Sequence, residues 1–551
     1  MKGKLVVSVV IIVSFFIIAI SILIGIRDNH KKDIIKFTAF YNMQGTSINA
    51  DNDIKELLAE KTGVDCEEIW LGSQSREDAY NSYIASGEYT DFIMGDLELY
   101  EAGALIPIDE YWDQYPNIRY YMSDEEWDRL RLDDGHIYWI PQFGVVNGED
   151  TELVHEGEAF WIQTRVLKWA GYPQVDTLEE YFDLIEQYYA HNKVMDNGTA
   201  NIPFTILCDD WRYFCLENPP QFLDGYPNDG SCMVDIKTRK VMDYNTTPTA
   251  KRYFKKLNEE FKKGIIDPES FTSTYEEYLD KLSTGAVLGM VDQWWQFNYD
   301  IDSAYKRQNL SSKGCSYVPL PITIEKGIKN QWHVSRSNEV DVSKGLSVTI
   351  SCKEIQKALQ FINDLLEPEI QLIRYWGIKD VDYYVDENGI FYLTEEQRNR
   401  ADNADYIRSH FCSYSFFPRV EGKIKGNVNY FSPEYQPGEF FASLPDDVKE
   451  CLDAYGCKTY VEMLGANKQP GPWYPMYSYS ALLTTKTESG IVWNNLNEVK
   501  QTWLPKVVLS KNFDGTWERY MDAYKACNPS VFFNDMQKGL DRRIAMHTDI
   551  D

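Results

Sequence analysis

The chain has 551 residues, with 85 Asp and Glu against 55 Lys and Arg, a formal net charge of −30, and 15 Trp and 38 Tyr. A field of that sign repels phosphate backbones and anionic lipid, which excludes nucleic acid as a partner and peripheral membrane binding beyond an anchor. Neutral or cationic ligands remain, and the length allows two or more domains with cores of their own.

The first element is an uninterrupted apolar run, Leu5 to Ile26, preceded by Lys2 and Lys4. At about 1.5 Å per residue it crosses a hydrocarbon core of roughly 30 Å. Signal peptides have a shorter core of about 7–15 residues and end in small residues, whereas this run ends Leu23-Ile24-Gly25-Ile26, so an uncleaved anchor is expected, with signal cleavage the alternative. The same four residues resemble a bacterial lipoprotein signal in which Ile26 holds the place of the lipid-bearing Cys. Arg27, Lys31 and Lys32 answer the two N-terminal lysines across the run, so charge alone does not set orientation. No second apolar run of spanning length follows.

Ile34 to Tyr41 predicts a strand, and Asp53 to Lys61 a helix with Ile54, Leu57 and Leu58 on one side. Asp91 to Met94 predicts a second buried strand, broken by Gly95-Asp96. Strand, helix, strand at this spacing indicates a parallel α/β sheet. Thr177-x-x-Glu180 reads as a capping box opening a helix with Leu178, Phe182, Ile185 and Tyr189. Phe204 to Leu207 predicts a strand. A further helix opens at Ser273 or Thr274, carries Tyr278, Leu279 and Leu282, stops at Gly285 and feeds the strand Ala286 to Val291. Ile355, Leu359, Ile362 and Leu366 define a helix over about 354–366 that halts before Pro368. The ten cysteines, at 66, 208, 215, 232, 315, 352, 412, 451, 457 and 527, match no metal ribbon and leave disulfides and free thiols both open.

Open α/β sheets bind ligands beyond the carboxyl ends of their strands. Those positions here are aromatic and polar: Asn42 after Tyr41, Asp96 after Met94, Asp209-Asp210-Trp211-Arg212-Tyr213 after Leu207, and Asp292-Gln293-Trp294-Trp295 after Val291. Sugars stack the apolar face of a ring on Trp or Tyr and give their hydroxyls to carboxylates, amides and Arg. Of the adjacent Trp294 and Trp295 only one is expected to face a cleft, because side chains alternate along an extended segment. A glycosidase is the rival reading, but it needs two facing carboxyl groups about 5–5.5 Å or 6.5–9.5 Å apart. Asp133-Asp134 and Asp209-Asp210 read instead as solvated turns. The chain has no Gly-x-Ser-x-Gly elbow, no His-Glu-x-x-His, no phosphate loop and no Gly-x-Gly-x-x-Gly. His136 and His333 read as isolated histidines, and Asp386-Glu387-Asn388-Gly389 as a turn rather than a calcium loop. No cofactor and no metal are expected.

Several segments carry a family resemblance: Asp91-Phe92-Ile93-Met94-Gly95 with Gly103 to Ile108; Asp134-Gly135-His136-Ile137-Tyr138-Trp139-Ile140-Pro141; Leu167-Lys168-Trp169-Ala170-Gly171-Tyr172-Pro173; and Gly285 to Val291. Tyr375 to Tyr383 with Asp386 to Gly389, and Leu504-Pro505-Lys506, complete the set. In this order and spacing, over roughly residues 34 to 545, the chain resembles the extracellular solute-binding proteins (family 1-like) of carbohydrate-type ABC importers, in their long Gram-positive subfamily. The resemblance implies a two-lobed type II periplasmic-binding-protein-like α/β fold preceded by one N-terminal transmembrane or signal helix. Residues 1–33 would form the anchor or signal segment, 34–143 plus 337–405 lobe 1, and 144–336 plus 406–551 lobe 2, closing on ligand like a hinge.

It implies a binding protein rather than an enzyme, a monomer with its body outside the cell. Its ligand would be a saccharide, an oligosaccharide first, and its partners ABC permease subunits and their ATPase in the membrane. On the same basis Tyr41 and Asp96 are lobe 1 ligand residues, and Asp210, Trp211, Arg212, Trp295 and the Trp473-Tyr474 segment lobe 2 ones, with Trp294 beside them. Where relatives often read Arg-Lys-Asp-Trp-Leu this chain has Gln163-Thr164-Arg165-Val166-Leu167, so Arg165 is assigned no ligand role. A secreted or anchored glycoside hydrolase stands as the alternative, followed by a surface receptor or adhesion module.

Overall fold

The computed structural model describes residues 34–72, 74–146, 152–227, 230–335, 340–471 and 473–548. The expected anchor Leu5–Ile26 and its flanking lysines and arginine lie outside them. Among the described residues no helix is long and apolar enough to cross a membrane. The strands of the two main sheets are, in chain order, β1 (Ile35–Tyr41), β2 (Val64–Trp70), β3 (Phe92–Asp96), β4 (Glu158–Gln163), β5 (Ile202–Ile206), β6 (Val287–Gln293), β7 (Tyr317–Leu320) and β8 (Lys344–Val348).

The chain divides into two compact units. Unit 1 comprises residues up to Gln142 with Lys344–Tyr384 and Leu393–Arg419; unit 2 comprises Phe143–Ser343, Val385–Tyr392 and Val420–Asp551. The second segment of unit 1 therefore starts later than the expected 337, runs past the expected 405, and is interrupted by 385–392. Residues 406–419 belong to unit 1 because Arg374, buried and fully occupied, gathers them. Its Nε donates to the Ser413 carbonyl at 2.8 Å, Nη1 to Leu365 and Pro418 at 2.9 and 3.0 Å, and Nη2 to Tyr414 and Phe417 at 2.9 and 3.2 Å. A rigid guanidinium with five N–H donors organises an irregular segment in a way no apolar side chain can.

In unit 1 the sheet runs in the order β8-β3-β1-β2, with β1 parallel to both neighbours and β8 antiparallel to β3 at the edge. The sequence expectation missed β2, whose Asp65, Glu67 and Glu68 mask the strand pattern. The first crossover is therefore β1, the helix Asp53–Thr62 and β2. That helix is capped by the Asn52 side chain and ends on Gly63 in the left-handed conformation. β3 also continues through Gly95-Asp96 instead of stopping at Met94.

In unit 2 the order is β5-β6-β4-β7, with β5 and β6 parallel and β4 antiparallel to both β6 and β7. β4 is buried along its whole length. Phe160 and Trp161 point to opposite faces, as successive strand residues must. Phe160 meets Tyr181 of the helix Leu178–His191, and Trp161 meets Trp294 and Phe297 of the helix Trp294–Gln308. Thr177 caps the first of these helices through the Glu180 N–H, but the Glu180 carboxylate accepts the Asp176 N–H, so the expected capping box is only half made. The box at Thr274 and Glu277 is complete. All ten cysteines are free thiols, seven of them buried.

Two consequences are measurable. A Cβ on Gly289 would lie 2.3 Å from Tyr181 Oη and 2.8 Å from Ile185 Cδ1. Gly289→Ala is expected to destabilise unit 2 by about 1–3 kcal/mol through overpacking, read by denaturant unfolding; Tyr181→Phe in the same chain should recover part of the loss, and an unchanged midpoint would refute the close approach. His410 lies in unit 1 between Asp53 and Asp382, at 2.7 and 2.9 Å. Burial lowers its pKa, but hydrogen bonds and charge from Asp382 and Asp53 outweigh it and the net shift is upward. A raised folded pKa contributes stability that is fully present below the unfolded value of about 6.5 and is lost as pH rises through the folded value. The stability difference between wild type and His410→Gln should accordingly shrink as pH is raised above about 6.5, measured by thermal unfolding across the range; a difference that grows with pH would reverse the assignment.

Candidate ligand-binding site

β5 and β6 are adjacent and parallel, with Ile206 opposite Val291, so the chain leaves both strands at the same end of the sheet. After β5 it turns into a short 3-10 helix, Asp210–Tyr213, and after β6 it enters the helix Trp294–Gln308 directly. These two exits bring Trp211 and Trp295 together. Their rings are 6.0 Å apart between centroids and within 9° of parallel. Both are exposed, at 52% and 36%. Trp295 Nε1 donates to Gln293 Oε1 at 2.6 Å, which fixes the rotation of the indole. Tyr299, four residues further along the helix and so on the same face, is exposed and extends the aromatic surface.

Polar groups frame this surface. The Arg212 guanidinium lies between two rings, 4.6 Å from the Trp211 centroid and 3.9 Å from that of Tyr275. Such contacts contribute about 0.5–2 kcal/mol each and orient the cation without using its N–H groups. Tyr275 is itself held by its N–H to Asp209 at 2.9 Å and by its hydroxyl to Asp300 at 3.0 Å. Asp210 sits at the corner with φ of 49°, an uncommon conformation for a residue with a side chain. It is exposed, and its carboxylate has no partner among the described residues.

Beneath the surface lies Asp292, fully buried. It accepts the Tyr278 hydroxyl at 2.6 Å, Gln296 Nε2 at 2.7 Å and the Gln293 N–H at 2.7 Å. Burial pushes its carboxyl up to about 7, against the lowering effect of those hydrogen bonds. Asp292 thus ties the end of β6 to the first turn of the helix that carries Trp295, and its role is to position that turn. Glu158, across the ladder from Gln293, is also buried, and burial holds its carboxyl well above the usual carboxylate range.

Asp210, Trp211, Arg212 and Trp295 therefore converge in unit 2. The other residues expected in unit 2, Trp294, Trp473 and Tyr474, do not join them, and Tyr41 and Asp96 lie in unit 1. Trp294 packs inward against Trp161, Phe297 and Tyr460, at 5.2, 5.4 and 5.2 Å. The choice between the two tryptophans is made by a helix start, where one residue turns the side chain by about 100°, and not by strand alternation. Trp473 and Tyr474 are buried in the unit 2 core. Tyr41 is buried in unit 1 between Trp70 and Phe416, at 5.0 and 5.1 Å. The Asp96 carboxylate caps the helix Leu97–Glu101 through the Leu99 N–H and is paired with Arg76. Arg165 is spent on Gln163, Asn201 and the Gly285 carbonyl. Tyr275 and Tyr299 were not anticipated: Tyr275 carries no local signal, whereas Tyr299 follows from Trp295 once the helix start is known.

The chain matches no known family model. Over 353 residues it is 22% identical to lipoprotein LipO of Bacillus subtilis (strain 168), covering 62% of this chain and 65% of that protein, so the match spans less than two thirds of the relative's length. Among solved structures it is similar to the Streptococcus pneumoniae ABC-transporter substrate binding protein FusA, an EF-hand mutant in complex with fructo-nystose, at 18% identity and TM-score 0.65, covering 93% of this chain and 99% of that one. A solute-binding protein of Bifidobacterium longum infantis described as HMO binding and ABC-transporter associated matches at 15% identity and TM-score 0.59, over 92% and 98% of the two chains. The N-glycan transport solute binding protein NgtS of Streptococcus pneumoniae, in complex with Man5GlcNAc, matches at 14% and 0.52, over 93% and 99%. The chain has the two-lobed α/β fold of the ABC-importer solute-binding proteins.

Proposed function

We propose that this protein is the extracytoplasmic substrate-binding component of an ABC importer and that it captures a saccharide, an oligosaccharide first, on the Trp211–Trp295 surface of unit 2. The observation that carries the reading is the exposed, nearly parallel tryptophan pair with Arg212 and the unpaired Asp210 beside it. Two rigid ring faces offer stacking for sugar C–H faces at little rotamer cost, while a carboxylate and a guanidinium at the rim suit hydroxyl groups. The solved proteins of this fold named above include complexes with fructo-nystose and Man5GlcNAc. The similarity to a lipoprotein and the apolar run Leu5–Ile26 support a membrane-anchored protein with its body outside the cell, and the import role assigns it permease subunits as partners.

The glycosidase reading has less support. Burial pushes Asp292 of unit 2 and Glu68 of unit 1 up to about 7 and holds Glu158 well above the usual carboxylate range, and in unit 2 both Asp292 and Glu158 are buried side chains rather than exposed acids. Asp210 is exposed, and among the described residues no second carboxyl is paired with it.

The test is a thermal-shift screen against mono- and oligosaccharides with product analysis of each hit. An intact sugar that raises the melting temperature by binding only the native state supports the reading; a sugar consumed during incubation makes the protein an enzyme. With the identified sugar, Trp211→Ala and Trp295→Ala should each weaken binding by about 1–3 kcal/mol without unfolding the chain. Asp210→Asn should weaken it with no turnover to lose. Unchanged affinity in both tryptophan variants would move the site elsewhere.

A further inference from the structure

A second cluster in unit 2 adjoins the aromatic surface through Glu156, which accepts the Tyr299 hydroxyl at 3.1 Å. Glu152, His155 and His333 each offer a ligand atom, and the three atoms lie within 4.8 Å of one another. The two imidazoles, buried at 3% and 2% exposure, place Nδ1 against Nδ1 at 3.1 Å, with their ring planes 72° apart. Glu152 Oε2 is 3.8 Å from His333 Nδ1. Two nitrogens bound tetrahedrally to zinc at about 2.0–2.1 Å lie about 3.3 Å apart, so the observed separation fits a shared ion.

The groups behind these atoms have the orientation such a site needs. His155 Nε2 faces the Glu158 carbonyl at 3.1 Å. A carbonyl only accepts, so Nε2 carries the proton and Nδ1 presents a lone pair to the cluster, the arrangement in which outer-shell bonds fix metal-ligating histidines. Glu152 Oε1 accepts the Glu156 N–H at 2.5 Å, which steers the carboxylate with Oε2 towards His333. His155 adopts a φ of 64°, a left-handed conformation that costs free energy for a residue with a side chain and recurs at ligand sites. His333 is held by the short parallel pairing of His333–Val334 with Ala466–Asn467.

We propose that Glu152, His155 and His333 bind a divalent transition-metal ion, zinc by preference, through the two Nδ1 atoms and one carboxylate oxygen. Two imidazoles select zinc and its neighbours over calcium and magnesium, which take oxygen ligands. The ion would pin the start of the long unit 2 segment Phe143–Ser343, where Glu152 and His155 lie, to its end, where His333 lies. The proposal is independent of the saccharide reading.

The experiment is zinc titration of the full chain, by calorimetry and thermal shift, with millimolar magnesium present to saturate the acidic surface. One zinc per chain, a raised melting temperature, and the visible bands of tetrahedral Co2+ on cobalt substitution are expected. His155→Gln and His333→Gln should each remove the stoichiometric site, and Glu152→Gln should weaken it at least tenfold; His136→Gln, a half-buried histidine of unit 1, should leave it intact. If a histidine variant fails to fold, the wild-type cobalt spectrum decides, since an aquo-like six-coordinate spectrum refutes the site without any variant. Zinc displaced by magnesium, or retained equally by both histidine variants, would also overturn the proposal and leave the pair as a histidine–histidine hydrogen bond.

Discussion

The parallel pairing of β5 with β6 is the constraint on which the candidate site rests. Parallel neighbours end together, so whatever follows them is brought side by side whatever its separation in sequence. With Ile206 opposite Val291, Trp211 and Trp295 lie five and four residues beyond matched positions and meet at the same edge of the sheet. The pairing in turn requires the helix Leu178–His191 to approach β6 closely enough that Gly289 leaves no room for a methyl group. Asp292 completes the link by carrying the strand's position into the first helical turn through its bonds to Gln293 and Gln296.

How much of this was legible depended on whether the signal was local. The helices beginning at Asp53, Leu178 and Tyr275 were readable because capping residues and apolar periodicity act within a few residues. β6 was readable as a buried apolar run ended by a polar pair. β2 was not, since its charges obscure the alternation and only pairing with β1 along seven residues reveals it. The assignment of 406–419 to unit 1 rests on Arg374 and on His410 between Asp53 and Asp382, contacts with no sequence signature.

The same division separates the ligand residues expected at the outset. Asp210, Trp211, Arg212 and Trp295 follow from the rule that functional side chains sit past strand ends, and the structure gathers them. Tyr41 and Asp96 satisfy the same rule in unit 1, where Tyr41 packs between two rings and Asp96 caps a helix, and Trp473-Tyr474, placed by resemblance alone, is core. Position after a strand is thus a useful pointer to this kind of surface and not sufficient for it. What decides is whether the side chain's bonding capacity is already spent inside the unit, as with Asp96, or left over, as with Asp210. The histidine and glutamate cluster was beyond sequence reading for a different reason: His155 and His333 are 178 positions apart, and each alone is an ordinary buried histidine.

Trp294 and Trp295 show how the fold separates stability from recognition. Trp294 is half-buried against three aromatic rings, and that packing contributes to the stability of unit 2. Trp295, one helical step away, gives up part of that burial energy by facing solvent, and what fixes it is a single hydrogen bond to Gln293 and the ring of Trp211. A half-exposed tryptophan pair adds little to a core already dense with aromatic contacts, so burial alone does not account for its orientation. Because Trp294 packs beneath the same helical turn, the surface pair is held from below by the core, and its rings have little freedom left to lose.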